Sequence, residues 1–247
     1  MHSWMHLFVV KTVWLDYNSC REAFMNTEVY IAIIGDIKDS RKLSDRGKVQ
    51  EQLKQCLDQI NDTFDSEIAS AFIITLGDEF QGLLKKEDHV MDMIDRIVCD
   101  MAPVRIRFGV GMGRITTQIN PEMSIGADGP AYHKAREAIE QLKQNEHKNR
   151  KYTPNIRIGT EGHENIAEML NSILSLVDLT EKRRSERQKE IIKTFYEHQE
   201  SQKACAVELG IAQSSVQRAL MAGNYYACRD AKTTVTKMMK ELMVGNV

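Results

Sequence analysis

Two Gly-Asp steps carry the residue types best suited to chemistry. Gly35-Asp36 lies in Val29–Ser40, which reads VYIAIIGDIKDS, and Gly77-Asp78 lies in Ala71–Leu84, which reads AFIITLGDEFQGLL. Two carboxylates at one place, with a backbone carbonyl beside them, suit Mg²⁺, which also takes waters and substrate phosphates. Two such ions would stabilise an in-line displacement at phosphorus. Gly-Asp is also a common turn pair. What decides between turn and site is whether the fold brings the two steps together.

The surrounding elements predict that it does. The β-branched run Val29–Ile34 suits a strand buried on both faces, and such a strand delivers Asp36 to the rim of a sheet. Val49, Leu53, Cys56, Leu57 and Ile60 recur at helical steps. The apolar runs on either side of Gly77-Asp78 are close enough to pair as a hairpin. Val90, Met93, Ile94, Ile97, Val98 and Met101 mark a second helix, stopped by Pro103. Val104–Ile115, VRIRFGVGMGRI, alternates Arg with apolar residues and then places glycine at every second position. That pattern predicts a strand with close neighbours on its glycine face. The order strand, helix, strand, strand, helix, strand is that of a ferredoxin-like βαββαβ palm. Its ordinary strand order would make the strands bearing Asp36 and Asp78 neighbours.

Beyond the palm, SIGADGPAYHKAR (Ser124–Arg136) reads as a Gly-rich turn entering a helix from Pro130 to about Lys143. Gln144–Tyr152 reads as an exposed loop, Asn155–Gly159 as a short strand and Asn165–Leu179 as another amphipathic helix. The charge run EKRRSERQKE, 181–190, reads as a solvated helix or linker at a domain boundary.

At 247 residues, with 42% hydrophobic and 28% charged residues, the chain can bury one large or two smaller cores. No apolar run is long enough to span a bilayer, so no membrane partner is expected. The net charge of -2 is unevenly divided. Residues 179–247 hold 12 Lys+Arg against 8 Asp+Glu, a net of +4, which leaves -6 for the rest. A basic tail favours polyanions. Five scattered cysteines without a CxxC point to a reducing, cytoplasmic setting. Residues 1–27 fit poorly with the rest of the chain: they lack a basic start and a cleavage site for a signal peptide, and Met25 offers a plausible native start.

The tail has its own pattern. Lys189–His198 reads as one helix, Gln202–Leu209 as a second and Gln213–Met221 as a third, with a turn at Gly210. Ala206, Gly210, Ile211 and Val216, with Leu209 and Leu220, stand at the spacing that locks a helix-turn-helix. The last helix would point Gln213, Ser214, Ser215, Gln217 and Arg218 outward, the side chains that base edges and phosphates accept. Arg183, Arg184 and Arg187 could add phosphate contacts, and the amphipathic end, Lys232–Val247, could pack back or dimerise. A helical hairpin for protein contact is the competing use of such a unit.

The first strand with its Asp-Ile step, the hairpin GDEF at 77–80 and the strand FGVGMG resemble the class III nucleotidyl cyclase domain over about residues 28–160. The hairpin also resembles that of GGDEF diguanylate cyclases, although Leu76 stands before Gly77. The whole layout from Met25 onward is identified as SatD-like. The cyclase resemblance implies Asp36, Asp78 and the Ile37 carbonyl as metal ligands, for Mg²⁺ or Mn²⁺. Asp39, Gly77, Gly126 and Gly129 would line the nucleotide. The family's phosphate-steadying Asn and Arg fall on His133 and Glu137, a departure that removes a cation where charge develops. Lys134 and Arg136 are the candidates to substitute, beside His133.

The expectation is an α+β protein: a cyclase-like palm over 28–178 and an all-α helix-turn-helix domain over 179–247. It would bind a nucleotide or dinucleotide with Mg²⁺ and modulate binding to double-stranded DNA, as a homodimer. The alternative is an active nucleotidyl cyclase with the tail as a targeting module.

Overall fold

The computed structural model describes residues 28–148 and 153–244. The extension expected over 1–27 lies outside the described residues. The described chain is α+β. In order it comprises β1 (Tyr30–Ile37), a 3₁₀ turn at Ser40–Lys42, α1 (Arg46–Thr63), β2 (Ile68–Leu76), β3 (Glu79–Leu84), α2 (Val90–Asp100) and β4 (Ile106–Gly113). Then come α3 (Pro130–His147), β5 (Ile156–Thr160), α4 (Glu164–Lys182), α5 (Glu186–Glu197), α6 (Gln202–Glu208), α7 (Gln213–Ala222) and α8 (Tyr225–Val244).

The sheet runs β2-β3-β1-β4-β5. β1 is central and antiparallel to both β3 and β4, while β5 joins β4 in parallel. Every residue of β1 is buried, as its β-branched run requires. Ile31, Ile33 and Ile37 meet α1 and α2 through Leu53, Leu57, Ile60, Ile94 and Ile97. Tyr30, Ala32 and Ile34 face the other way, against Ala131, Tyr132, Ala135 and Ile139 of α3.

The alternating glycines of β4 explain why α3 lies so close. A Cβ at Gly109 would come within 2.1 Å of the Ala135 carbonyl oxygen, and one at Gly111 within 2.0 Å of that of Ala131. Only hydrogen fits there, so the helix settles directly on the strand. α3 also continues past Lys143 to His147, where the sequence suggested a loop from Gln144. Of that expected loop, residues 149–152 lie outside the described residues.

The tail helices α5, α6 and α7 enclose a small core of Ile191, Phe195, Cys205, Ala206, Val216 and Leu220. Tyr225, at the start of α8, joins it, with its ring edge-on to Phe195 at 5.4 Å. Further along the same helix, Val235, Met239 and Leu242 are buried in the core beneath the sheet. The end of the chain thus packs back rather than standing free. Among the described residues no helix is long and apolar enough to cross a membrane.

Candidate functional site

The two Gly-Asp steps have different structural causes. Gly77 adopts φ 58° and forms, with Asp78, the two-residue turn between β2 and β3. This is a left-handed position that favours glycine. Gly35 lies inside β1 and is no turn residue. A Cβ there would strike the Phe80 ring at 2.0 Å, and Phe80 meets Phe108 edge-on with centroids 6.1 Å apart. Gly35 is a packing position, and Asp36 follows it on the opposite face of the sheet, toward α3.

On that face Asp36 is in register with Glu79 on one side and with Arg107 on the other. Asp36 is 7% exposed. Its Oδ2 accepts from Arg107 Nη1, and its Oδ1 lies 2.9 Å from Lys143 Nζ. Arg107 also donates to Glu146 through Nε at 3.1 Å and Nη2 at 2.5 Å. Glu146 Oε1 in turn accepts from the buried Lys38 Nζ at 2.5 Å. Burial would raise the Glu146 carboxyl, but hydrogen bonds from Arg107 and Lys38 outweigh it and hold the group below the ordinary carboxylate range. Burial pulls Lys38 below the ordinary lysine value, and Glu146 only partly offsets this. The seating of α3 on the glycines of β4 is what brings Lys143 and Glu146 to this edge.

Asp78 stands beside this network. Its Oδ2 accepts from Ser40 Oγ at 2.5 Å, and its carbonyl accepts from the Ile37 N–H at 2.9 Å. The backbones of Ile37 and Asp78 therefore lie side by side at this end of the sheet, while the Asp36 and Asp78 carboxylates take different partners. Asp39, at φ 54°, pairs at the surface with Lys42 at 2.8 Å and Arg105 at 3.2 Å. Glu79, next to Asp78 at the start of β3, has a side chain only 15% exposed, with Arg136 Nη1 at 3.6 Å. Of the three residues expected to steady a phosphate, Arg136 alone points to this edge. His133 pairs with Asp128 at 2.9 Å and is 68% exposed, while Lys134 pairs with Glu137 at 3.3 Å. Gly126 sits with open space around it, and Gly129 precedes α3 against the Arg114 carbonyl.

Sequence reasoning missed Lys38, Ser40, Arg107, Lys143 and Glu146. One signal was present: Arg107 shares the odd-numbered face of Gly109 and Gly111, the face that α3 covers. Lys143 and Glu146 carried no such signal, since their position follows from how far α3 extends.

As arranged, these residues do not fit a divalent ion. Among the described residues no three His, Cys, Asp or Glu side chains converge as a ligand set. Both oxygens of Asp36 already face cations. Each fixed positive charge near Asp36 would repel a dication by on the order of several kcal/mol at an effective dielectric of about 20.

The tail places its expected polar residues outward. Gln213, Ser214, Gln217 and Arg218 of α7 are exposed and Ser215 is half-buried. Gly210 between α6 and α7 takes φ 60°, while Ala206, Val216 and Leu220 lock the pair from beneath. Arg184 needs correction as a free phosphate contact. Its side chain is 9% exposed, with Nε donating to the Gly223 carbonyl at 2.8 Å and Nη1 3.3 Å from Glu181. The run 181–190 is likewise not wholly solvated, because Glu181 also lies 2.9 Å from the buried Lys232 Nζ. Lys232 reaches Asp95 of α2 as well, at 2.6 Å. Burial would lower Lys232, but Asp95 and Glu181 raise it well above an ordinary lysine, so it stays charged.

Fold and site together define an α+β protein in which a five-stranded sheet unit with a charged edge is joined through one long helix to a compact helical tail. The chain matches the SatD family over residues 30–238 and belongs to it. No curated protein matches it. Among solved structures it is similar to the dimeric guanylyl cyclase domain of the RhoGC fusion protein from the aquatic fungus Blastocladiella emersonii. That likeness is at 18% identity, covering 44% of this chain and 72% of that one, with a TM-score of 0.30. The monomeric form of the same domain is similar at 20% identity, covering 44% and 73%, with a TM-score of 0.29. A regulator of polyketide synthase expression from Bifidobacterium adolescentis is similar at 11% identity over 86% of each chain, with a TM-score of 0.29.

Proposed function

We propose that this SatD-family chain is a DNA-binding regulator. Residues 28–178 form a ferredoxin-like palm that binds a nucleotide or dinucleotide, and residues 179–247 form a helix-turn-helix whose hold on DNA the palm biases. The observation that carries this reading is α8. One end, at Tyr225, belongs to the tail core, and the other, at Val235, Met239 and Leu242, belongs to the core under the sheet. Two sites are coupled through an element that both can bias, and α8 is such an element.

Two further observations support the parts. Strand order β2-β3-β1-β4, with α1 and α2 on one face, is the order of a βαββαβ palm. The α6–α7 pair, with Gly210 in its turn and Gln213, Ser214, Gln217 and Arg218 exposed, presents what a recognition helix presents to the major groove. A cytoplasmic homodimer on two half-sites completes the reading.

The second reading is an active nucleotidyl cyclase using Mg²⁺ or Mn²⁺, with the tail as a targeting module. One contact supports it: the Ile37 N–H donates to the Asp78 carbonyl and so holds the two Gly-Asp steps next to each other. A gel shift of genomic fragments with and without ATP, GTP and cyclic dinucleotides, beside mass detection of products formed with Mn²⁺, separates the two. The regulator should shift DNA, lose the shift in Arg218→Ala, respond to a nucleotide and release no pyrophosphate. Absence of any shifted fragment would overturn it, and a cyclic product would establish the second reading.

A further inference from the structure

We propose that Arg107 and Lys143 stand in for a divalent cation at Asp36, so that the palm takes a phosphorylated ligand on protein cations without a bound metal ion. This rests on the nucleotide-binding reading above and names the source of its positive charge.

Three features of the edge carry the inference. First, both oxygens of Asp36 are engaged, Oδ2 by Arg107 and Oδ1 by Lys143 at 2.9 Å. Second, the cations are built into the fold. The β1–β4 register sets Arg107 opposite Asp36, and Glu146 clamps it from behind at 2.5 Å. Lys143 is delivered by α3, whose distance from β4 is fixed where Gly109 and Gly111 leave room for backbone alone. Third, the second acid turns elsewhere, since Asp78 Oδ2 accepts from Ser40 Oγ at 2.5 Å. A dication entering between Asp36 and Asp78 would share the edge with two fixed positive charges.

A phosphate meets the opposite situation. Its oxygens accept from lysine and arginine in the same manner as carboxylates do. Arg136 and Lys143 lie two helical turns apart on one face of α3, above the strands that carry Glu79 and Asp36. They are also the accessible members of the network, with side chains 57% and 32% exposed, against 13% for Arg107. Arg136 holds Glu79 only loosely, at 3.6 Å. A phosphoryl group can therefore take Arg136 and share Lys143 while the buried Arg107–Asp36 pair stays closed. The ligand class is a nucleoside phosphate with its anionic end over α3.

The test uses the full chain in two titrations. The first follows Mn²⁺ alone by electron paramagnetic resonance, and the second follows ATP and GTP by calorimetry in EDTA and in Mg²⁺. We expect no stoichiometric Mn²⁺ uptake, a nucleotide affinity equal within about twofold in the two buffers, and about a tenfold loss in Arg136→Gln and in Lys143→Gln. Stoichiometric Mn²⁺ uptake that disappears in Asp36→Asn would overturn the proposal, as would about a tenfold loss of nucleotide affinity in EDTA. Should Asp36→Asn fail to fold by circular dichroism, Asp78→Asn serves the same comparison. If no nucleotide binds in either buffer, the nucleotide reading fails and takes the ligand half of this inference with it. The Mn²⁺ titration decides the metal half independently.

Discussion

Asp36 and Arg107 face one another across the β1–β4 register and close an ion pair beneath the C-terminal turns of α3. Because Asp36 is 7% exposed, its charge has little water to fall back on when a partner is removed. Arg107→Gln should therefore destabilise the chain by about 3 kcal/mol in urea unfolding, because it leaves the nearly buried Asp36 with Lys143 alone and Glu146 with Lys38 alone. Asp36→Asn leaves Arg107 its bonds to Glu146 and should cost less, about 1–2 kcal/mol. Equal losses for the two variants would show that the pair matters only as a unit.

The Glu146 carboxyl supplies a pH dependence. Its folded value lies below its ordinary 4.5, so the folded state binds fewer protons there than the unfolded state. The stability it contributes is fully present above about 4.5 and is lost as pH falls through the lower folded value. Urea midpoints measured from pH 7 downward should separate the native chain from Glu146→Gln at neutral pH. The difference should close in acid. A constant difference at every pH would remove Glu146 from the account.

The seating of α3 can be tested without touching a charge. Gly111→Val would drive a side chain into the Ala131 carbonyl, 2.0 Å from where its Cβ must lie. Loss of about 3 kcal/mol or more is expected, the upper range for overpacking, because backbone rather than a flexible tip stands in the way. If Lys143 and Glu146 reach the edge only through this seating, nucleotide binding should fall in the same variant wherever it stays folded.

Lys232 ties α8 to α2 through Asp95 and to α4 through Glu181, with side chains that are mostly buried. Lys232→Met should cost about 3 kcal/mol, since Asp95 and Glu181 would lose the cation between them and Glu181 would keep only Arg184. Hydrogen exchange should show the loss on both sides of the joint, in α2 and at the start of α8. A change confined to α8 would mean that the tail and the sheet unit open separately. Where the variant folds, its gel shift should no longer respond to nucleotide.

In the tail, Leu220→Ala removes a fully buried side chain from a small core and should cost about 2–5 kcal/mol. Arg218→Ala lies on the exposed face of α7 and should leave stability within about 0.5 kcal/mol. Its effect should appear in DNA affinity and in the salt dependence of that affinity. A variant that alters stability but not binding would place the interface elsewhere.

Much of the fold was legible because it depends on local pattern. The β-branched run of β1, the alternating glycines of β4, the hairpin turn at Gly77 and the apolar spacing of α1 and α2 each declare their element in a few residues. The tail was legible for the same reason, since Ala206, Gly210, Val216 and Leu220 fall within 15 positions of the chain. The charged edge was legible only in half. Two acids at strand ends suggest a metal, and nothing local shows which cations will meet them.

The sequence by itself determined that Asp36 and Asp78 would reach one edge of a sheet, because strand identity and strand order follow from apolar pattern and turn chemistry. Tertiary structure decided what surrounds them there. Arg107 comes 71 residues after Asp36, and Lys143 and Glu146 arrive on a helix whose height is set by hydrogens at Gly109 and Gly111. Electrostatic partners are chosen by distance in space, which falls steeply only after the chain has packed. That is why the acids could be located from the sequence and their occupied state could not.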